Sequence, residues 1–160
     1  MIKQRSWGDC GVATLLNAVC SKGNEYFSWP GGYERMVELL NGRSTGLTIQ
    51  EICAAVFELG YVPMYVPLEG FVLASGIANA YTHDSAVMLN YTICLKEMPA
   101  IFQVKTKSGL LHFVYFDGFQ IWDPAHNVIE EKKFSDYEDI IDVVYLLPMD
   151  KPFDERGLSK

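Results

Sequence analysis

The sequence predicts an α+β domain, with N-terminal helices packed on a C-terminal antiparallel sheet. Apolar residues recur at helical spacing after Asp9 and again after Thr48, and from Ala100 onward short β-rich runs take over. Asp117-Gly118 then separates two of those runs at hairpin distance. Helices first and strands afterwards is the order of an α+β domain, not the alternation that builds a parallel sheet.

Asp9 precedes a helix in which Val12, Leu15, Leu16 and Val19 share one face, with Gly23 at its C-terminal end. Asn24 to Gly32 reads as a loop, and a short helix follows over Tyr33 to Leu40. Thr48-Ile49-Gln50-Glu51 has the form of a capping box. It opens a helix with Ile52, Val56 and Leu59 inward and Gly60 at its close. Tyr61 to Val66 has strand composition. Between Leu68 and Glu97 the clearest helical candidate is Ser85 to Leu95. Strands follow at Ala100 to Lys105, Leu111 to Phe116, Phe119 to Asp123 and Val143 to Leu147. Residues 1–148 form one domain on this reading, and the charged, aperiodic 149–160 a mobile tail.

Length and composition fit that picture. A chain of 160 residues, 49% hydrophobic and 21% charged, holds one sizeable core. A net charge of −7 without a basic patch argues against nucleic acid as partner. No apolar run reaches the ~18 residues of a spanning helix, and no signal peptide opens the chain. Cys20, Cys53 and Cys94 sit among apolar neighbours, without zinc-type spacing, as in a reduced, cytoplasmic protein.

Cys10 is different. In Gln4-Arg5-Ser6-Trp7-Gly8-Asp9-Cys10-Gly11 it opens the first helix, where unpaired backbone N–H groups and the dipole favour a thiolate. Gly11 leaves room beside the sulfur, and Asp9 stands at the cap position. The Cys10 N–H and the Gln4 amide, brought back by the intervening turn, are candidate oxyanion donors. A lone cysteine at a helix start is more often a small packing residue, so this segment needs a partner.

The hairpin supplies one. A two-residue turn at Asp117-Gly118 sets Phe116 opposite Phe119, Val114 opposite Ile121, and His112 opposite Asp123. Directly opposed residues share a face with Cβ atoms ~4.5–5.5 Å apart, a separation that suits an imidazole and a carboxylate. The carboxylate fixes the ring's tautomer and stabilises an imidazolium facing a thiolate. A core histidine beside a convenient acid is the competing reading, and Cys10 weighs against it. His83 reads as a surface residue and His126 as a turn residue, while Trp7 and Trp122 are candidates for the site wall. A metal site from Cys10, His112 and His126 lacks ligand spacing.

These segments resemble the bacteriocin-processing peptidases, papain-like enzymes that remove double-glycine leader peptides. The resemblance rests on Gln4, Asp9-Cys10-Gly11-Val12-Ala13, Pro99-Ala100-Ile101, His112-Phe113-Val114 and Asp123-Pro124-Ala125, in order over nearly the whole chain. It implies a papain-like fold and a cysteine peptidase without cofactor that acts on a peptide or protein substrate. Cys10 would be the nucleophile, His112 the acid and base, Asp123 the orienting carboxylate and Gln4 the oxyanion donor. The chain departs from the family pattern at His126-Asn127, where glycine is usual. Residues 68–97 are longer than the family's connection and read as an insertion near the cleft. The transporter usually fused to such a domain is absent from this chain. Other acyl transfers on the same triad, such as deamidation or isopeptide cleavage, and a non-catalytic peptide-binding module are the alternatives.

Overall fold

The computed structural model describes residues 1–28, 30–94, 99–125 and 132–148, without the side chains of 89 and 91–94. Helices α1 (Cys10–Ser21), α2 (Gly32–Leu39) and α3 (Ile49–Glu58) come first, and β1 (Tyr61–Pro67) follows. Next come α4 (Gly70–Ser75), α5 (Ser85–Cys94), β2 (Ala100–Lys105), β3 (Leu111–Phe116) and β4 (Ile121–Trp122). A 3₁₀ turn (Phe134–Asp136) and β5 (Asp139–Pro148) close the described chain. The strands form one antiparallel sheet in the order β1-β5-β2-β3-β4. Pro63 and Pro67 lie in β1, an edge strand, where a missing N–H is tolerated.

Among the described residues, α1 is the most deeply buried helix. Its face pattern predicts an amphipathic helix, yet Gly11 to Val19 are all buried. The polar members of that run are satisfied internally. Thr14 Oγ donates to the Phe113 carbonyl at 3.0 Å. The Asn17 amide holds the Ile2 backbone, accepting from its N–H at 2.7 Å and donating to its carbonyl at 2.9 Å. Asn17 thus lays the N-terminal segment along the helix. The helix ends in a Schellman pattern, with Asn24 N–H on the Val19 carbonyl and Gly23 N–H on the Cys20 carbonyl. Gly11 serves packing: a Cβ there would come within 2.8 Å of Leu47 Cδ1, so its absence lets the 46–48 loop close on the helix start.

Two apolar clusters sandwich the sheet. On one face, Leu15, Leu16, Met36, Ile52 and Val56 of the first three helices meet Ile101, Phe113, Tyr115, Val144 and Leu146. Thr48 caps α3 as its motif predicts, its hydroxyl accepting from Glu51 N–H at 3.2 Å. On the other face, Phe102, Val104, Val114, Phe116, Val143 and Tyr145 pack with Leu68, Met88, Phe134 and Tyr137. Each fully buried side chain of this size contributes ~1.5–3 kcal/mol. Residues 68–94 build part of that second layer: Leu68 is wholly buried, and Tyr145 Oη donates to the Met88 carbonyl. No helix among the described residues is long and apolar enough to cross a membrane.

The β3–β4 hairpin differs from expectation by one residue. Phe116 pairs with Ile121, Asp117 N–H donates to the Gln120 carbonyl, and Gly118-Phe119 occupy the turn, with Gly118 at φ 97°. Asp117 causes the shift. Its carboxylate accepts from Phe119 N–H at 2.7 Å and Gln120 N–H at 2.8 Å, making it the residue before the turn. Trp122 Nε1 donates to its other oxygen at 2.9 Å. Phe116 and Phe119, Val114 and Ile121, and His112 and Asp123 are therefore not directly opposed as expected, and β4 is shorter than the predicted 119–123. Continued past β4, this register sets Asp123 opposite Val114. Because the partner moves by two positions, every face is preserved. His112 and Asp123 become diagonal neighbours on one side.

Candidate functional site

Cys10 is the first residue of α1. Asp9 precedes it, but its side chain makes no cap bond to the helix. Its wholly buried carboxylate turns back onto the preceding loop instead. There it accepts from Arg5 N–H and Ser6 N–H, each at 2.9 Å, and from the Tyr33 hydroxyl. Burial pushes the Asp9 pKa up, but the Tyr33 hydroxyl and the two amides outweigh it and hold the carboxyl below its ordinary value. The loop is thereby folded so that Gln4 and Cys10 border the same cavity.

Gln4 is anchored at its backbone, whose N–H donates to the Pro124 carbonyl at 3.1 Å. This bond ties the N-terminal segment to the residue after Asp123. The Gln4 side chain donates from Nε2 to the Ser6 carbonyl at 3.0 Å. Its Oε1 is buried and has no hydrogen-bond partner among the described residues.

His112 and Asp123 are joined. The buried ring donates from Nε2 to Asp123 Oδ1 at 2.8 Å. Asp123 Oδ1 also accepts from Ala125 N–H at 2.9 Å, and Oδ2 accepts from Tyr137 Oη at 2.7 Å. Burial works to lower the His112 pKa. The Asp123 hydrogen bond, the Cys10 sulfur and the charges of both partners overcome it and raise the value to about 9. Burial works the other way on Asp123, and His112, Tyr137 and Ala125 N–H together hold it at about 2. Both shifts favour the imidazolium–carboxylate form of the pair.

A cavity of about 680 Å³ is lined by Gln4, Cys10, His112 and Asp123, with Trp7, Lys107, Lys132 and Tyr137 among its other lining residues. Among the described residues no hydrogen bond of good geometry joins Cys10 Sγ to the His112 ring. Cys10 also borders a second, more apolar cavity of about 460 Å³, lined by Trp7, Leu47, Ile49, Leu111 and Phe113 among others. The cysteine thus stands where two cavities meet. Trp7 is not core: it borders both cavities and is 81% exposed. Trp122 lies half-buried against the helical cluster. None of the described residues of 68–94 borders either cavity. His83 is exposed, stacked edge-on against Tyr81, and His126 lies outside the described residues.

Tyr137 is the site residue that sequence reading misses. It lies 14 positions beyond Asp123, in the polar run Phe134-Ser135-Asp136-Tyr137-Glu138, with no strand pattern to assign it a face.

No family model and no curated protein matches this chain. In three dimensions it is similar to the peptidase domain of Streptococcus ComA, a bifunctional ABC transporter involved in a quorum-sensing pathway. The TM-score is 0.53 at 19% sequence identity, covering 92% of this chain and 97% of that one. At this identity the likeness is one of fold alone, which in this chain is N-terminal helices against a five-stranded antiparallel sheet.

Proposed function

We propose that this chain is a cysteine peptidase of papain-like fold that cuts a peptide bond through a thioester acyl-enzyme. The observation that carries the reading is the buried His112–Asp123 pair facing a cavity that Cys10 also borders from a helix start. With Nε2 committed to Asp123, Nδ1 is the ring nitrogen left for the sulfur. A raised His112 pKa keeps the imidazolium available to pair with a thiolate.

In this mechanism the Cys10 thiolate attacks the substrate carbonyl carbon. The oxyanion accepts from Cys10 N–H and the free N–H of the Gln4 amide. The His112 imidazolium gives its proton to the leaving amine as the C–N bond breaks, which leaves a thioester on Cys10. Water then attacks the thioester with neutral His112 as base. The C–S bond breaks, the acid product departs, and the thiolate with its imidazolium is restored. Asp123 holds the ring orientation throughout.

The catalytic unit is residues 1–148, with 68–97 as an addition to the family plan. A double-glycine leader is the substrate class to try first, on the strength of the sequence resemblance and the shared fold. The test is cleavage of a peptide library by the chain and by Cys10→Ala, read by mass spectrometry, with Cys10→Ala used to trap bound peptides. Cleavage that survives Cys10→Ala would sink the mechanism. Bound but uncut peptides with the unaltered chain would favour a binding module. Ammonia release from glutamine without chain cleavage would favour a deamidase.

A further inference from the structure

We propose that Tyr137 is a positioning residue of this site, fixing the His112 ring by holding the Asp123 carboxylate from its far side. The inference rests on the peptidase reading for its catalytic meaning, but not for its geometry. The two Asp123 oxygens have separate duties: Oδ1 serves His112 Nε2 and Ala125 N–H, and Oδ2 serves the Tyr137 hydroxyl. Rotation of the carboxylate about Cβ–Cγ would disturb each of these bonds. A donor on Oδ2 therefore sets the plane in which Oδ1 meets the ring.

Tyr137 is built for that task. Its own N–H donates to the Phe134 carbonyl at 3.1 Å, closing the 3₁₀ turn. The next N–H, from Glu138, donates to the Lys105 carbonyl at 2.8 Å at the end of β2. The backbone is thus pinned on both sides of the ring, and the ring packs in the apolar cluster beneath the sheet. Burial and the nearby Asp123 charge push the Tyr137 phenol far above its ordinary range, so it stays a proton donor at any working pH. The charged and titratable groups lining the cavities that Tyr137 borders are Cys10 from α1, Lys107 from the β2–β3 turn, Lys132 and Asp136, and, around a further cavity, Glu69, Glu138 and Asp139.

The test is a titration of the His112 ring by NMR in the full chain, which needs no substrate and so stands apart from any failure of the peptidase reading. With three histidines in the sequence, assignment by single variants of the other two is direct. Tyr137→Phe keeps the packing and deletes the donor. The His112 midpoint is expected to fall toward that of an ordinary histidine as the ring loses its fixed alignment with the Asp123 carboxylate. If a substrate is in hand, kcat is expected to fall ~10-fold or more with KM little changed, as for outer partners of a site. An unchanged His112 midpoint in folded Tyr137→Phe overturns the proposal. Should that variant not fold, the unaltered chain supplies a second test. The Tyr137 hydroxyl proton should exchange slowly, resonate downfield and shift in step with the titrating ring. A fast-exchanging proton, or one indifferent to His112, overturns it equally.

Discussion

The Thr14 hydroxyl donates to the Phe113 carbonyl at 3.0 Å, a buried bond between the helix that begins with Cys10 and the strand that carries His112. The two sheet-facing halves of the site are thus fastened one turn below the sulfur and one residue beyond the ring. Thr14→Val keeps the shape and deletes the donor, leaving a buried carbonyl poorly satisfied. The expected loss is ~1–3 kcal/mol in urea unfolding. Thr14→Ser should recover most of it. A neutral Thr14→Val would mean that the carbonyl has a second partner of equal quality.

Cysteine reactivity separates the site from the core. Burial pushes the Cys20 and Cys53 thiols up, whereas Cys10 borders two cavities, one of which His112 also lines. Limiting iodoacetamide at slightly acidic pH should therefore modify Cys10 before Cys20 or Cys53, as read by peptide mapping. His112→Ala should erase most of that preference. Equal labelling of all the cysteines in the folded chain would remove the chemical basis of the site.

Away from the site, Asp142 is a buried acid whose burial works against its ionised form. It is 1% exposed, and burial raises its pKa to about 6 although Tyr65 Oη donates to it at 2.9 Å. A folded-state value above the unfolded 3.8 means that stability is fully present below 3.8 and is lost as pH rises through about 6. Asp142→Asn imitates the neutral acid and can still accept from Tyr65. It should raise Tm above pH 6 and leave it nearly unchanged at pH 4. A uniform effect across that range would show that the substitution acts by packing.

How legible all this was depends on how local the determining contacts are. Thr48, the α3 face and strands β2 and β3 follow from short-range pattern, so their positions are readable from the chain alone. The burial of α1 on every side is not, because Thr14 and Asn17 look solvent-facing until Phe113 and Ile2 supply their partners. The hairpin shows an intermediate case. Asp-Gly marks the turn, but the three bonds that Asp117 accepts move it by one residue. The His112–Asp123 pair was legible because face depends only on parity, and a two-position change of partner leaves parity intact. Asp9 and Tyr137 were beyond reach: one turns away from the helix it precedes, and the other comes from an aperiodic segment.

Within the proposed mechanism the side chains have unequal weights. His112→Ala should abolish turnover, since it removes both the proton carrier and the thiolate's partner. Asp123→Ala should leave a residue of activity, because water or a neighbouring group can partly orient the ring. Gln4→Ala should raise the barrier by ~2.7–4 kcal/mol if its second N–H serves the oxyanion. Single-turnover acylation, which isolates the first step, is the measurement to use. A Gln4→Ala variant that acylates at the normal rate would leave Cys10 N–H as the main donor.

The His112–Asp123 pair should also write itself into the pH dependence of stability, whatever the substrate. The His112 value is raised from 6.5 to about 9, so its contribution is fully present below 6.5 and is lost as pH rises through about 9. The Asp123 value is lowered from 3.8 to about 2, so its contribution is present above 3.8 and is lost as pH falls through about 2. Both terms are therefore whole between about pH 4 and 6.5. The double variant His112→Gln with Asp123→Asn keeps polar groups of similar size and removes both titrations. Its Tm deficit relative to the unaltered chain should be largest in that window and shrink toward pH 9 and toward pH 2. A deficit that stays constant from pH 4 to pH 9 would mean that the pair is held by packing and that its charges add nothing to the fold.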